Sequence, residues 1–145
     1  MFGALDISTS ALVAQRTRMD VIAGNLANLY TTRRLDGQQG PYRRRFVTFA
    51  PEAPANMTNA REKTAGAGVR VASVEEDRAP GRMVHEPGHP DAIRSGPRAG
   101  WVEYPNVDPA TEMIDAIEAA RAYEANVTAL DVTKNMITSS LRLLA

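Results

Sequence analysis

The chain has 145 residues, the length of one domain, and 43% of them are apolar but only 6% aromatic, so large core-forming side chains are few. Seventeen basic and seventeen acidic residues cancel, which removes the net attraction that nonspecific binding to nucleic acid or to an anionic membrane surface needs. With no cysteine, a disulfide framework and thiolate chemistry are excluded.

At the start of the chain, Asp6, Ser8, Thr9 and Ser10 interrupt what would have to be the apolar core of a secretory signal, and no apolar run approaches membrane-spanning length. The expectation is a chain with no cleaved signal peptide and no membrane span. Leu5, Ser8, Leu12, Gln15, Met19, Ile22, Leu26 and Leu29 recur at alternating intervals of three and four, which predicts a helix with one apolar stripe, interrupted by Ser8 and Gln15. Its end is expected between Asn28 and Thr32, where asparagine and β-branched residues replace good helix formers.

From about Leu35 to Tyr104 most glycines and prolines gather and the apolar runs shorten. Tyr42 to Phe49, Gly68 to Glu75, Gly81 to His85 and Gly100 to Tyr104 read as strands, punctuated by Gly40-Pro41, Pro80-Gly81, Pro87-Gly88 and Gly96-Pro97. They are expected to form one small twisted sheet, with a mobile loop over residues 53–67, where there is little to bury.

The thirty-six residues after Pro109 hold no glycine and no further proline. Met113, Ala116, Ala120, Tyr123, Val127, Leu130, Lys134, Ile137, Leu141 and Leu144 keep the three-four spacing, and only Lys134 among them is not apolar. Asp108 is placed to cap the first turn, and Pro109 stands at a first helical position where its missing N–H loses nothing. At about 1.5 Å per residue this helix reaches roughly 54 Å, longer than a compact domain of this chain length. The longer stripe exceeds what the first helix can cover, an oligomerisation signal. The fold expected is mainly α with a small β insert: long N- and C-terminal helices packed as an antiparallel coiled-coil hairpin, with a middle β-rich segment. The corresponding divisions are an N-terminal axial helix over residues 1–32, a middle segment over 33–105 and a C-terminal axial helix over 106–145, together one structural unit.

Catalytic constellations are hard to find. His85 and His89 have Pro87-Gly88 between them and cannot share a helix face as the ligands of an HExxH zinc site do. No serine stands in a Gly-x-Ser-x-Gly elbow, and the glycines near Gly66 and Gly68 match neither the phosphate-binding loop nor the dinucleotide fingerprint. No catalytic, cofactor-binding or metal residue is assigned, and neither an enzyme nor a small-molecule substrate is expected. Arg43, Arg44 and Arg45, between Tyr42 and Phe46, form the one basic run; with net charge zero and no second basic patch, a solvated or intersubunit strand whose arginines meet carboxylates of a neighbour is expected rather than a nucleic-acid site. Trp101 and Tyr104 are expected to anchor the sheet to the long helix. Lys134 reads as a device fixing helix register.

Met19 to Thr32, MDVIAGNLANLYTT, resembles the N-terminal signature of flagellar axial proteins of the rod and hook class, with Asn25, Asn28 and Thr31 at the positions of its Asn-x-x-Asn-x-x-Thr pattern. Asn106 to Ala145 resembles the C-terminal helix of the same class, through Glu112-Met113 and RAYEAN at Arg121 to Asn126. GPYRRRFVTFAP, PGHPDA and GWVEYPNVDP are similar to the proximal rod subunits rather than to longer rod or hook proteins, whereas Leu29-Tyr30 departs from the small or polar residues more usual there. The resemblance implies a structural rod subunit, exported through the flagellar type III apparatus and polymerised across the periplasm to carry torque from motor to hook. Its partners would be copies of itself and other rod proteins. The assembly surface expected comprises Leu5, Leu12, Met19, Ile22, Asn25, Leu26 and Asn28 on the first helix, with Met113, Ala116, Ala120, Tyr123, Val127, Leu130, Lys134, Ile137, Leu141 and Leu144 on the second. The rival is a soluble helical-hairpin or chaperone-like partner of another axial protein.

Overall fold

A computed structural model describes residues 2–34, 40–52 and 68–144. In chain order the elements are α1 (Phe2–Ala27), β1 (Arg45–Glu52), β2 (Gly68–Glu76), β3 (Arg82–His85), β4 (Trp101–Tyr104) and α2 (Pro109–Leu144). The class is mixed α/β, two long helices with small sheets. Where one sheet was expected there are two, β1 with β2 and β3 with β4. The loop expected over residues 53–67 lies outside the described residues.

The chain divides into two compact units. One comprises Met1–Asp20, Val47–Val74 and Ala116–Ala145. Among its described residues the enclosed ones are Ala14 and Ala119, side chains small enough to let neighbouring backbone come close. Ser10 ties helix to strand: its hydroxyl donates to the Ile7 carbonyl at 2.8 Å and accepts from the Val69 amide at 3.0 Å. A Cβ at Gly68 would lie 2.4 Å from that hydroxyl oxygen, so a side chain there would have to displace the Ser10 hydroxyl. Arg18 and Glu118 form an ion pair at 3.6 Å.

The other unit comprises Val21–Phe46 and Glu75–Asp115. Ile22, Pro41, Val102, Pro105 and Val107 are buried in it, together with two polar residues, Asn25 and Glu112. Strands β3 and β4 pair antiparallel with Arg82 opposite Tyr104 and His85 opposite Trp101. The glycine before β3 is fixed by packing, because a Cβ on Gly81 would stand 2.1 Å from the Tyr104 carbonyl oxygen. Val102, not Trp101, is the core residue of β4; the indole is 38% exposed and tilts against the imidazole of His85, ring centroids 5.4 Å apart. Tyr104 donates its hydroxyl to Glu86 at 2.9 Å and meets Tyr30 and His89 edge-on. The expected aromatic anchors thus pack within the β3–β4 ribbon and its flanking loops.

Candidate functional site: a buried polar knot

The last turns of α1 explain the asparagine pattern. Asn28 folds its Nδ2 back to the Gly24 carbonyl at 2.8 Å and accepts at Oδ1 from the Thr31 hydroxyl at 3.1 Å, so helix exit and following turn are closed by side chains. One turn earlier on the same face, Asn25 is fully enclosed and points away from the helix axis toward the chain at Arg45. Its Nδ2 donates to the Arg45 carbonyl at 2.7 Å, and its Oδ1 accepts from the Arg45 amide at 2.9 Å. The amide therefore bonds the backbone of one residue on both sides, as a neighbouring strand would. The Tyr42 hydroxyl supplies Oδ1 with a second donor at 2.9 Å, and Glu112 Oε2 gives Nδ2 a second acceptor at 3.1 Å. All four bonding positions of the side chain are occupied.

Glu112 belongs to the first turn of α2. Its other oxygen, Oε1, accepts from Arg44 Nε at 2.6 Å, while Arg44 Nη2 reaches Asp115 one turn on, at 3.1 Å. Arg44 is also held through its main chain, whose N–H donates to Asn106 Oδ1 at 2.9 Å. Burial alone would lower the Arg44 pKa; the hydrogen bond and charge of Glu112 outweigh it and push it above the usual guanidinium value. Burial holds the Tyr42 phenol above 10.0. A buried carboxylate is tolerated here because a guanidinium and an amide donate to it. The helix start that presents Glu112 is set by Asp108, whose Oδ1 accepts from the Ala110 amide at 3.2 Å and whose Oδ2 accepts from the Thr111 hydroxyl at 2.8 Å. These bonds, Thr111 foremost, hold its carboxyl below 3.8. The expected N-cap is in place.

The flanking arginines find acids of their own. Arg45 Nη2 lies 3.1 Å from Glu76, which also receives two bonds from Arg34 at 2.8 and 3.0 Å. Arg43 donates to the Ala79 carbonyl at 2.7 Å and lies 3.9 Å from Glu103. The basic run therefore meets carboxylates of its own chain, correcting the expectation of a neighbour's, because the backbone around β1 and β2 already brings acids to each arginine. The two histidines part company: His85 tilts against Trp101, while His89 Nδ1 accepts from the Asp91 amide at 3.1 Å. Asp91 is bound by Thr32 at 2.9 Å and by Arg33. Among the described residues no three His, Cys, Asp or Glu side chains group to hold a metal ion.

Of the residues expected at an assembly surface, only Asn25 enters the knot and Asn28 flanks it. On α1, Ile22 is buried, Leu5, Leu12 and Met19 are half-buried, and Leu26 is exposed. On α2, Ala116, Ala120, Tyr123, Leu130 and Ile137 are half-buried, whereas Met113, Val127, Lys134 and Leu141 are exposed; the side chain of Leu144 lies outside the described residues. Sequence reasoning missed Glu112, Arg44, Tyr42, Asn106 and Asp115 as a site. The signal was present in the Arg43–Arg45 run, whose three charges need three acids, and in an acidic residue standing exactly one turn after an N-cap.

Comparison with known proteins locates these residues in a family. A sequence profile described as "Flagella basal body rod protein" matches residues 5–33, and one described as "Flagellar basal body rod FlgEFG protein C-terminal" matches residues 98–143. The flagellar basal-body rod protein FlgC of Borreliella burgdorferi is 43% identical, over 99% of this chain and 97% of its own length. The FlgC proteins of Bacillus subtilis and Salmonella typhimurium are 41% and 40% identical, over 98% and 99% of this chain and 97% of each. The chain belongs to the FlgC family of flagellar basal-body rod proteins. It is a structural rod subunit of the flagellar basal body, as the resemblance of both helices and of the middle segments implied. The two profiles carry Asn25, Asn28 and Thr31 at one end and Asn106, Glu112 and Asp115 at the other; Tyr42 and Arg44, which join them, lie between the profiles.

Proposed function

We propose that this FlgC-family subunit polymerises through α1 and α2 and carries torque mechanically, with no bond made or broken. The observation that carries the reading is the apolar surface left on α2: Met113, Ile114, Ile117, Val132, Met136 and Leu141 are each more than half exposed. Covering such surface with other subunits would stabilise assembly by about 25 cal/mol for each Å² removed from water. The two helices act as an antiparallel coiled-coil pair. Within one unit, the end of α1 meets the start of α2 through Asn25 and Glu112, as the helices of an antiparallel hairpin do at its turn, and this supports the reading. Partners are copies of this chain and other rod proteins, reached by export through the flagellar apparatus to the periplasm; no helix among the described residues is long and apolar enough to cross a membrane.

Leu141→Asp tests the reading. At 62% exposure the substitution leaves the free subunit's stability within about 0.5 kcal/mol. The expected result is export with loss of rod incorporation and motility. Normal swimming in that strain would overturn it.

A further inference from the structure

Resting on that assembly reading, we propose a specific contact between copies: the outward stripe of α1 in one subunit lies antiparallel against the outward stripe of α2 in the next. On α1, Val13, Arg16, Asp20, Ala23 and Ala27 are all exposed and follow three-four spacing; on α2, Ile114, Ile117, Arg121, Glu124 and Thr128 do the same. These faces are distinct from those that hold Ala14, Ile22, Asn25, Glu112 and Ala119. Laid antiparallel, the stripes have one register in which four of the five facing positions are complementary and the fifth sets Val13 on Thr128. Arg16 stands opposite Glu124 and Asp20 opposite Arg121, while the small Ala23 and Ala27 face the large Ile117 and Ile114. Sliding one heptad toward the start of α2 sets Arg16 on Ile117 and Asp20 on Ile114, leaving both charges unpaired. Sliding the other way sets Asp20 on Thr128 and Ala27 on Arg121. The occupant is thus a second copy of this chain, selected by charge and size together. A polar filament, in which all subunits point one way, brings α1 of one copy beside α2 of the next in opposite senses whenever the helices of each copy are themselves antiparallel.

The chain has no cysteine, which makes the test direct. Two versions are expressed together, one with Ala23→Cys and the other with Ile117→Cys, and basal bodies are purified and oxidised. A disulfide-linked adduct, necessarily between molecules, is expected. In parallel, Asp20→Arg should lower incorporation by about tenfold or more, and adding Arg121→Asp should restore it. Circular dichroism of the exported monomers should be unchanged, since all four positions are exposed. Basal bodies that contain both cysteine variants without the adduct overturn the contact. So does Asp20→Arg at unaltered incorporation, or a double reversal no better than the single one. If the unaltered chain is itself missing from basal bodies, the assembly reading falls as well, so the two failures are distinguishable.

Discussion

Asn25 does at one position what a strand edge does along its length, and removing it should be felt accordingly. Asn25→Ala leaves the amide and carbonyl of Arg45, the Tyr42 hydroxyl and one Glu112 oxygen short of a partner in an enclosed site. A loss of about 3–5 kcal/mol is expected, against about 1 kcal/mol for Asn28→Ala, whose bonds are nearer solvent. Urea unfolding of the purified subunit decides between them. Equal losses would mean that the knot contributes no more than an ordinary helix end. Glu76 gives a pH signature. Burial would push its carboxyl up, but bonds from Arg34 and Arg45 outweigh that and hold it below 4.5. A depressed carboxylate contributes stability that is complete above its ordinary value and is lost as pH falls through the folded value. The urea midpoint should therefore drop between about pH 5 and about pH 3, and Glu76→Gln should shrink the drop, leaving the part owed to Asp91 and Asp108, which are also depressed.

Among the elements, those signalled by local chemistry were legible. The four strands fall within about three residues of where glycine, proline and β-branched residues indicate them, and α2 starts where Asp108 and Pro109 mark it. The phase of α2 was legible only in part: Ala116, Ala120, Tyr123, Leu130 and Ile137 of the expected stripe are half-buried, whereas Met113, Val127 and Leu141 are exposed. Apolar side chains lie all around this helix, Met113, Ile114 and Ile117 included, so spacing alone permits more than one stripe. Enclosure selects the line through Glu112 and Ala119, turned from the line through Met113 and Ala120. Glu112 itself was illegible as a core residue because the guanidinium that makes its burial tolerable sits 68 positions away in sequence. Where strand and carbonyl approach closely the sequence can be tested by a single methyl. Gly81→Ala must displace the Tyr104 carbonyl and should destabilise by about 2–4 kcal/mol, whereas Gly88→Ala, with nothing within 4 Å, should change stability by less than about 0.5 kcal/mol. Thermal melts of the two variants check this, and equal melting temperatures would refute the close approach at Gly81.

For the whole molecule, the division of labour between inward and outward faces matters most. Among the described residues, the helix side chains enclosed within each unit are small or polar, Ala14, Asn25, Glu112 and Ala119, with Ile22 the one large aliphatic group, whereas Ile114, Ile117, Val132, Met136 and Leu141 of α2 stay exposed. A free subunit with so little large apolar core is expected to be only marginally stable, and incorporation should raise its melting temperature by mass action. Calorimetry of purified rods against monomer measures the difference; coincident transitions would count against stabilisation by neighbours. The charge-balanced composition read from sequence fits this economy, since self-association is not opposed by net repulsion.

The Asn25 to Glu112 bond spans 87 positions. A polypeptide threading a narrow passage with its amino end leading would bring Asn25, Tyr42 and Arg44 through while their acceptor was still inside, so the knot could not close behind it. On such a route final compaction would wait for the beginning of α2 to emerge, and a molecule cut short before Pro109 would lack the acceptor that closes the knot.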